Sequence, residues 1–96
     1  MHLLTPEQAW KLIATENNVI ILDVRTPREF EEKHISQAVN IPLISSGFEK
    51  NIKRLDRNQK YVLYCHSGPR AFHAAQMMEK WEFTQVYTVK GLLFGL

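Results

Sequence analysis

One cysteine, Cys65, occurs in the 96 residues, so no internal disulfide can form, and a structural zinc site built on thiolates is argued against. No apolar run approaches the roughly 20 residues that span a bilayer. The N-terminal stretch Met1-His2-Leu3-Leu4-Thr5-Pro6 lacks the pattern of a secretory signal. These absences point to a cytoplasmic protein with no membrane segment. Charge of one sign is also lacking: the net charge is only +2, far from the basic balance of a nucleic-acid binder. Glycine and proline number four each and form no linker, and no repeat or low-complexity tract interrupts the chain. Residues 1–96 therefore read as a single domain with one modest core. A lone cysteine has a further consequence. If Cys65 is chemically active, no second thiol in the chain can receive what it carries, and the acceptor belongs to another molecule.

Strand and helix signals alternate along the chain. Thr5-Pro6-Glu7-Gln8 combines a capping hydroxyl, proline at the first helical position and glutamine at the capping-box position. It predicts a helix over 6–16 with Ala9, Leu12 and Ile13 facing inward. Val19 to Leu22 is an unbroken apolar run suited to a strand buried on both faces. Thr26-Pro27-Arg28-Glu29 repeats the capping pattern and opens a short helix to Lys33. A short strand is expected at Ala38–Ile41, closed by Pro42, and a mostly surface helix over Ser45–Leu55 with Phe48, Ile52 and Leu55 inward. A strand at 61–64, a helix at 69–81 and a strand at 86–89 complete the pass. This alternation implies an α/β fold, a mainly parallel sheet flanked by helices, whose ligands sit beyond the carboxyl ends of the strands.

Cys65 falls at such an end. Tyr61–Tyr64 precedes it, and from Ala71 the residues Ala71, Ala74, Ala75 and Met78 recur at helical spacing. Between strand and helix lies Cys65-His66-Ser67-Gly68-Pro69-Arg70. A loop in this position collects free backbone N–H groups and the positive end of a helix dipole. Arg70 adds a fixed positive charge, and an electropositive cradle around one thiol favours its nucleophilic thiolate.

The chain resembles the single-domain rhodaneses, a sulfurtransferase family, from about Thr5 to Val89. Two motifs carry the likeness. Leu22-Asp23-Val24-Arg25, Glu29-Phe30, His34-Ile35, Ala38 and Asn40-Ile41-Pro42 resemble the family's N-terminal signature. Cys65 followed by Gly68 and Arg70 resembles its active loop. The resemblance implies a five-stranded parallel sheet with helices on both faces and a catalytic Cys65 that carries a persulfide. It implies a small anionic sulfur donor such as thiosulfate, an acceptor that is cyanide, a thiol or a protein, and no metal or organic cofactor. Four residues separate Cys65 from Arg70, as in the sulfurtransferases, whereas the related phosphatases have a wider loop. A phosphatase or arsenate-handling enzyme is thus the lesser alternative, and a sulfur carrier with a protein donor the nearer one.

The backbone N–H groups of His66 and Ser67 are expected to line the pocket, Gly68 to adopt a positive φ, and Pro69 to begin the helix. Asp23 and Arg25, at the end of a buried strand, are expected to support the loop, with Asp23 as the ion-pair partner of Arg70. His34 should tie the short helix to the next strand, and His73 reads as a surface or packing residue. Trp10 and Trp81 are better explained as helix-to-sheet packing than as a stacking pair. The mixed charges from Glu49 to Lys60 suit a solvated helix face, and no broad apolar face argues for more than a monomer. The chain departs from the family at Lys33 and Gln37, where glycine is usual, and at Lys90–Phe94, where a Gly-Gly-Trp pattern is common. The chain's early end suggests a trimmed last helix.

Overall fold

The computed structural model of the chain describes residues 1–91 and 93, so Leu92 and Phe94 of the divergent C-terminal segment lie outside the described residues. Five strands form one parallel sheet: β1 (His2–Leu4), β2 (Val19–Asp23), β3 (Val39–Asn40), β4 (Lys60–Tyr64) and β5 (Gln85–Val89), in the order β1-β5-β4-β2-β3. Four helices connect them: α1 (Pro6–Thr15), α2 (Pro27–Glu32), α3 (Phe48–Lys53) and α4 (Pro69–Lys80). The α/β fold with a parallel sheet is the one expected. Among the described residues no helix is long and apolar enough to cross a membrane.

The central strands β2 and β4 run side by side, with Leu22 opposite Leu63 and Asp23 opposite Tyr64. Because successive side chains of a strand face opposite ways, the apolar runs feed two cores. Leu22, Val24, Tyr61, Leu63 and Cys65 meet Ala71, Ala74, Ala75 and Met78 of α4 and Phe48 and Ile52 of α3. Ile21, Val62, Tyr64 and Val89 meet Ala9 of α1, with Trp10 and Leu12 packed alongside. The three alanines let α4 approach the sheet closely, and that brings its N-terminus over the end of β4. Trp10 and Trp81 pack against different cores, as helix-to-sheet packing requires.

Both threonine signals operate as capping boxes. Thr5 and Thr26 accept from the N–H groups of Gln8 and Glu29, whose side chains accept from the threonine N–H in return. Helix α3 is shorter than expected: Ser45–Gly47 forms a turn, because Gly47 starts the helix with no capping side chain. His34 does not reach the next strand. Its Nδ1 lies 2.7 Å from the carbonyl of Phe30, one turn back, and its ring stacks on Phe30 at 3.7 Å. The tie across that stretch comes instead from Ile35, whose N–H donates to the Tyr64 hydroxyl.

Of the two positions where glycine is usual, only one demands it. Lys33 is extended at φ −168°, open to any residue. Gln37 sits at φ 72°, in the left-handed region that costs a side-chain-bearing residue about 1 kcal/mol or more. Part of that relief is offset by the greater unfolded-state freedom of glycine, so Gln37→Gly should stabilise the fold by about 0.5 kcal/mol. A rise in the urea midpoint at unchanged slope is the expected reading; a fall would show that the Gln37 side chain contributes more than its backbone strain removes.

Candidate functional site

The sulfur of Cys65 occupies the place of a helix cap. Helix α4 begins at Gly68, which has no side chain to accept the orphan N–H groups of the first turn, and Pro69 at the first helical position removes one such donor. The N–H of Gly68 donates to Cys65 Sγ at 3.1 Å and the N–H of Ala71 at 3.4 Å. In an ordinary cap, the N–H taken here from Ala71 would go to a serine or threonine hydroxyl at the capping position. Here the strand that precedes the loop supplies the acceptor. The N–H groups that contact the sulfur are those of Gly68 and Ala71, not those of His66 and Ser67 expected from the sequence. The thiol is 1% exposed, so only the terminal atom of a ligand can reach it without movement of the loop.

Gly68 makes the turn possible, at φ 116°, a region that L side chains rarely adopt. A Cβ there would also lie 3.2 Å from the backbone nitrogen of Gly91 and 3.6 Å from the carbonyl of Val89. Gly68→Ala should therefore cost about 1–2 kcal/mol in urea unfolding. An unchanged midpoint would mean that the loop tolerates the strain.

Arg70 does not pair with Asp23. Its guanidinium makes a two-pronged ion pair with Glu29 of α2, Nη1 to Oε1 at 2.7 Å and Nη2 to Oε2 at 3.0 Å. Asp23 is taken by Arg25, two residues on, through Nη2 to Oδ2 at 2.7 Å and through both Nε and the backbone N–H of Arg25. That second pair is buried. Arg25 also donates to the carbonyl of Lys33 at 2.6 Å and lies over the Tyr64 ring. Asn40 closes the frame: its amide donates to the carbonyls of Asp23 and Arg25 at 2.9 and 3.0 Å. Asp23 and Arg25 thus hold the turn from β2 into α2, and α2 in turn presents Glu29 to the cysteine loop.

Glu29 serves two elements at once. Its Oε1 accepts from the N–H of Thr26 at 3.0 Å, closing the cap of α2, and also accepts from Arg70. The hydrogen bonds from Arg70, helped by those from Thr26 and opposed by partial burial, pull its carboxyl down to about 2. Arg70 is raised, chiefly by the bonds to Glu29. A carboxyl lowered in the folded state contributes stability that is present above its unfolded value and is lost as pH falls through the folded one. The side chains of the pair are 28% and 34% exposed, so screening leaves about 1 kcal/mol of that linkage. The wild-type chain should lose about 1 kcal/mol more than Glu29→Gln between about pH 5 and pH 2, measured by urea unfolding across that range. Parallel loss in both would show that the pair contributes nothing in water.

Neither Glu29 nor Asn40 stands out as functional in the sequence, although both sit within the motif that signals the family. Glu29 reads there as a capping residue, which it also is. His66 is exposed, and His73 lies on the outer face of α4 beside Leu43, Ile44 and Met77.

Comparison with known proteins agrees with this architecture. Residues 5–94 match the family described as the Rhodanese-like domain. The putative sulfur carrier protein YrkF of Bacillus subtilis is 38% identical over 77 residues, covering 80% of this chain and 40% of that protein. The thiosulfate sulfurtransferase GlpE of Coxiella burnetii is 26% identical over 84 residues, covering 88% of this chain and 76% of that one. The chain thus spans less than half the length of YrkF and about three quarters of GlpE. Among solved structures, SSP1007 of Staphylococcus saprophyticus superposes with a TM-score of 0.84 at 26% identity, covering 98% of this chain and 91% of that one. With the fold, the cysteine loop and the family match in agreement over nearly its whole length, this chain belongs to the rhodanese-like family.

Proposed function

We propose that this chain is a sulfurtransferase that moves a sulfane sulfur from a small anionic donor such as thiosulfate to a thiophilic acceptor, through a persulfide on Cys65. The observation that supports the reading best is the convergence of the Gly68 and Ala71 N–H groups on Sγ at the N-terminus of α4. Donors aimed at an anionic sulfur need no reorganisation when the charge develops. The Cys65 thiolate attacks the outer sulfur of thiosulfate; the sulfur–sulfur bond of the donor breaks and sulfite leaves with its electron pair. The persulfide anion that results lies over the loop, where the positive end of the α4 dipole and the nearby Arg70 favour it. An acceptor then removes the outer sulfur and returns the thiolate. His66, Ser67, Gly68, Pro69 and Arg70 form the substrate-binding loop in this reading, and Asp23 and Arg25 support it from β2.

The near-complete burial of the thiol suits a donor that reacts end-on through one sulfur. A tetrahedral phosphate ester needs a broader ring of donors than a four-residue loop provides. The similarity to a protein described as a putative sulfur carrier favours one second reading, a relay module loaded by a protein rather than by thiosulfate. Intact-protein mass spectrometry after incubation with thiosulfate, and again after cyanide, tests both. Gain of one sulfur, lost to cyanide as thiocyanate, is the expected result. No gain from thiosulfate but uptake from a persulfidated protein would replace the enzyme by the relay, and no uptake from either would overturn the sulfur chemistry.

A further inference from the structure

A cleft of about 390 Å³ opens between the end of β5 and the first turn of α4, beside the cysteine loop. Leu3, Pro69 and Phe72 wall it, Lys90 stands at its rim, and Thr88 lies among its lining residues. Cys65 is not among the described residues that line it, so the cleft is distinct from the sulfur site. Thr88 is its unusual member. The residue is 1% exposed, and its Oγ1 is the single buried side-chain oxygen or nitrogen among the described residues with no hydrogen-bond partner. The fold explains why no neighbour supplies one. Val86 packs in the α4 core, whereas Tyr87 and Val89 pack on the opposite face of the sheet. Alternation along β5 therefore turns the Thr88 side chain to the α4 side, where the cleft lies. The backbone beside it is taken up by the sheet, with Leu3 of β1 paired to Thr88 on one side and Leu63 of β4 on the other. Buried hydroxyls in folded proteins almost always have a partner, and an orphan calls for one from outside the chain. Two further features favour a ligand in that role. Leu3 and Phe72, 49% and 40% exposed, present large apolar surfaces to the same opening. Among the described residues Lys90 is in no ion pair, unlike Arg70, whose charge is neutralised by Glu29.

We infer that this cleft binds a small aromatic acid that carries a hydroxyl at the end remote from its carboxylate. Small-molecule sites are mostly apolar, with a few placed polar groups that fix orientation, and this cleft has that make-up. A flat ring fits against Phe72 and Pro69, where aromatic contact adds to the burial of apolar surface. Its rigidity means that little freedom is lost on binding. The ring hydroxyl reaches Thr88 Oγ1, which can both donate and accept. The carboxylate stays at the wet mouth of the cleft beside the Lys90 ammonium. Other small molecules fit less well. A purely apolar guest leaves the Thr88 hydroxyl orphaned, and a small inorganic anion gains nothing from Leu3 and Phe72. The site is independent of the persulfide reading and involves no covalent step. It does adjoin the cysteine loop, because Ser67, Gly68 and Pro69 line it together with the end of β5.

The probe is para-hydroxybenzoate, with benzoate as its counterpart, each titrated into the protein and followed by amide-resolved NMR. Para-hydroxybenzoate should bind about fivefold tighter than benzoate, the effect of one hydrogen bond to a buried, otherwise unpaired hydroxyl. The amide shifts should centre on Ser67, Gly68, Phe72 and Gly91. Thr88→Val nearly keeps the shape of the side chain and removes the hydroxyl. It should bring the two affinities together and leave the urea midpoint level or higher, because no hydrogen bond within the protein is lost. Lys90→Met should weaken both acids about threefold without changing their ratio, as for one exposed charge contact. Cys65→Ser should bind both acids as the wild type does. Equal affinities of the wild type for the two acids would overturn the inference, since water would then already complete Thr88. A fall in the midpoint of Thr88→Val would do the same, by giving the hydroxyl a partner within the protein. Absence of binding, or shifts centred away from the cleft, would remove the site altogether. Binding lost in Cys65→Ser would move the acids to the sulfur site and overturn a separate cleft.

Discussion

Cys65→Ser should abolish sulfur uptake from thiosulfate, by more than about 10³-fold, and leave the fold in place, because the hydroxyl lacks the nucleophilicity of a thiolate and no other thiol exists in the chain. The geometry makes serine a fair structural replacement. Its oxygen can accept from the same N–H groups of Gly68 and Ala71, an ordinary cap arrangement for α4. What the core loses is the larger, more polarizable sulfur among Leu63, Val24 and Ala71, a cost of about 1 kcal/mol. Activity and stability are therefore separable at this position. The two measurements are sulfur uptake by intact mass and the urea midpoint. Uptake retained in Cys65→Ser would exclude the persulfide mechanism outright. Uptake lost together with a collapse of the midpoint would show only that the sulfur holds the loop.

The parts of the fold that the sequence made legible are those where one local pattern has one physical solution. Val19–Leu22 and Tyr61–Tyr64 are apolar on both faces, and in this chain only the two central strands of a covered parallel sheet satisfy that. Thr5-Pro6 and Thr26-Pro27 announce helix starts because capping is a matter of four consecutive residues. Strand β1 was not legible: His2-Leu3-Leu4 has no alternation, and its strand character comes entirely from pairing with Tyr87–Val89, more than eighty residues away. The cysteine loop was legible down to the positive φ of Gly68, since strand end, glycine and proline leave little choice. The ion-pair network was not. Asp23 and Glu29 are both plausible partners for Arg70 in the chain, and the outcome depends on Arg25 reaching back to Asp23 and on α2 turning Glu29 toward α4. Those are facts of tertiary placement with no local signature. His34 shows the same limit, settling on Phe30 one turn back rather than across the gap to the next strand.

Arg70→Ala should lower both the stability and the turnover of the chain, and the companion variant Glu29→Gln decides why. In one view Arg70 attracts the anionic donor; in the other it fixes the loop by binding Glu29. The two views predict opposite signs for Glu29→Gln. Removing the carboxylate leaves the Arg70 cation with its charge uncompensated, so attraction of the donor should strengthen and KM for thiosulfate should fall. If the pair instead fixes the loop, Glu29→Gln loosens the same junction between α2 and α4 as Arg70→Ala does, and kcat falls in both. The bidentate geometry, the depressed Glu29 carboxyl and the 28% exposure of the Arg70 side chain favour the second. A partly shielded pair of this kind contributes about 1 kcal/mol, and loss of Arg70 also leaves Glu29 without its partner beside the cap of α2. We therefore expect a loss of about 1–2 kcal/mol in Arg70→Ala with a fall in kcat of about tenfold to a hundredfold. Arg70→Lys should recover little of either, because an ammonium cannot match two carboxylate oxygens at once. A KM that rises in Arg70→Ala and falls in Glu29→Gln, with both midpoints unchanged, would assign Arg70 to steering.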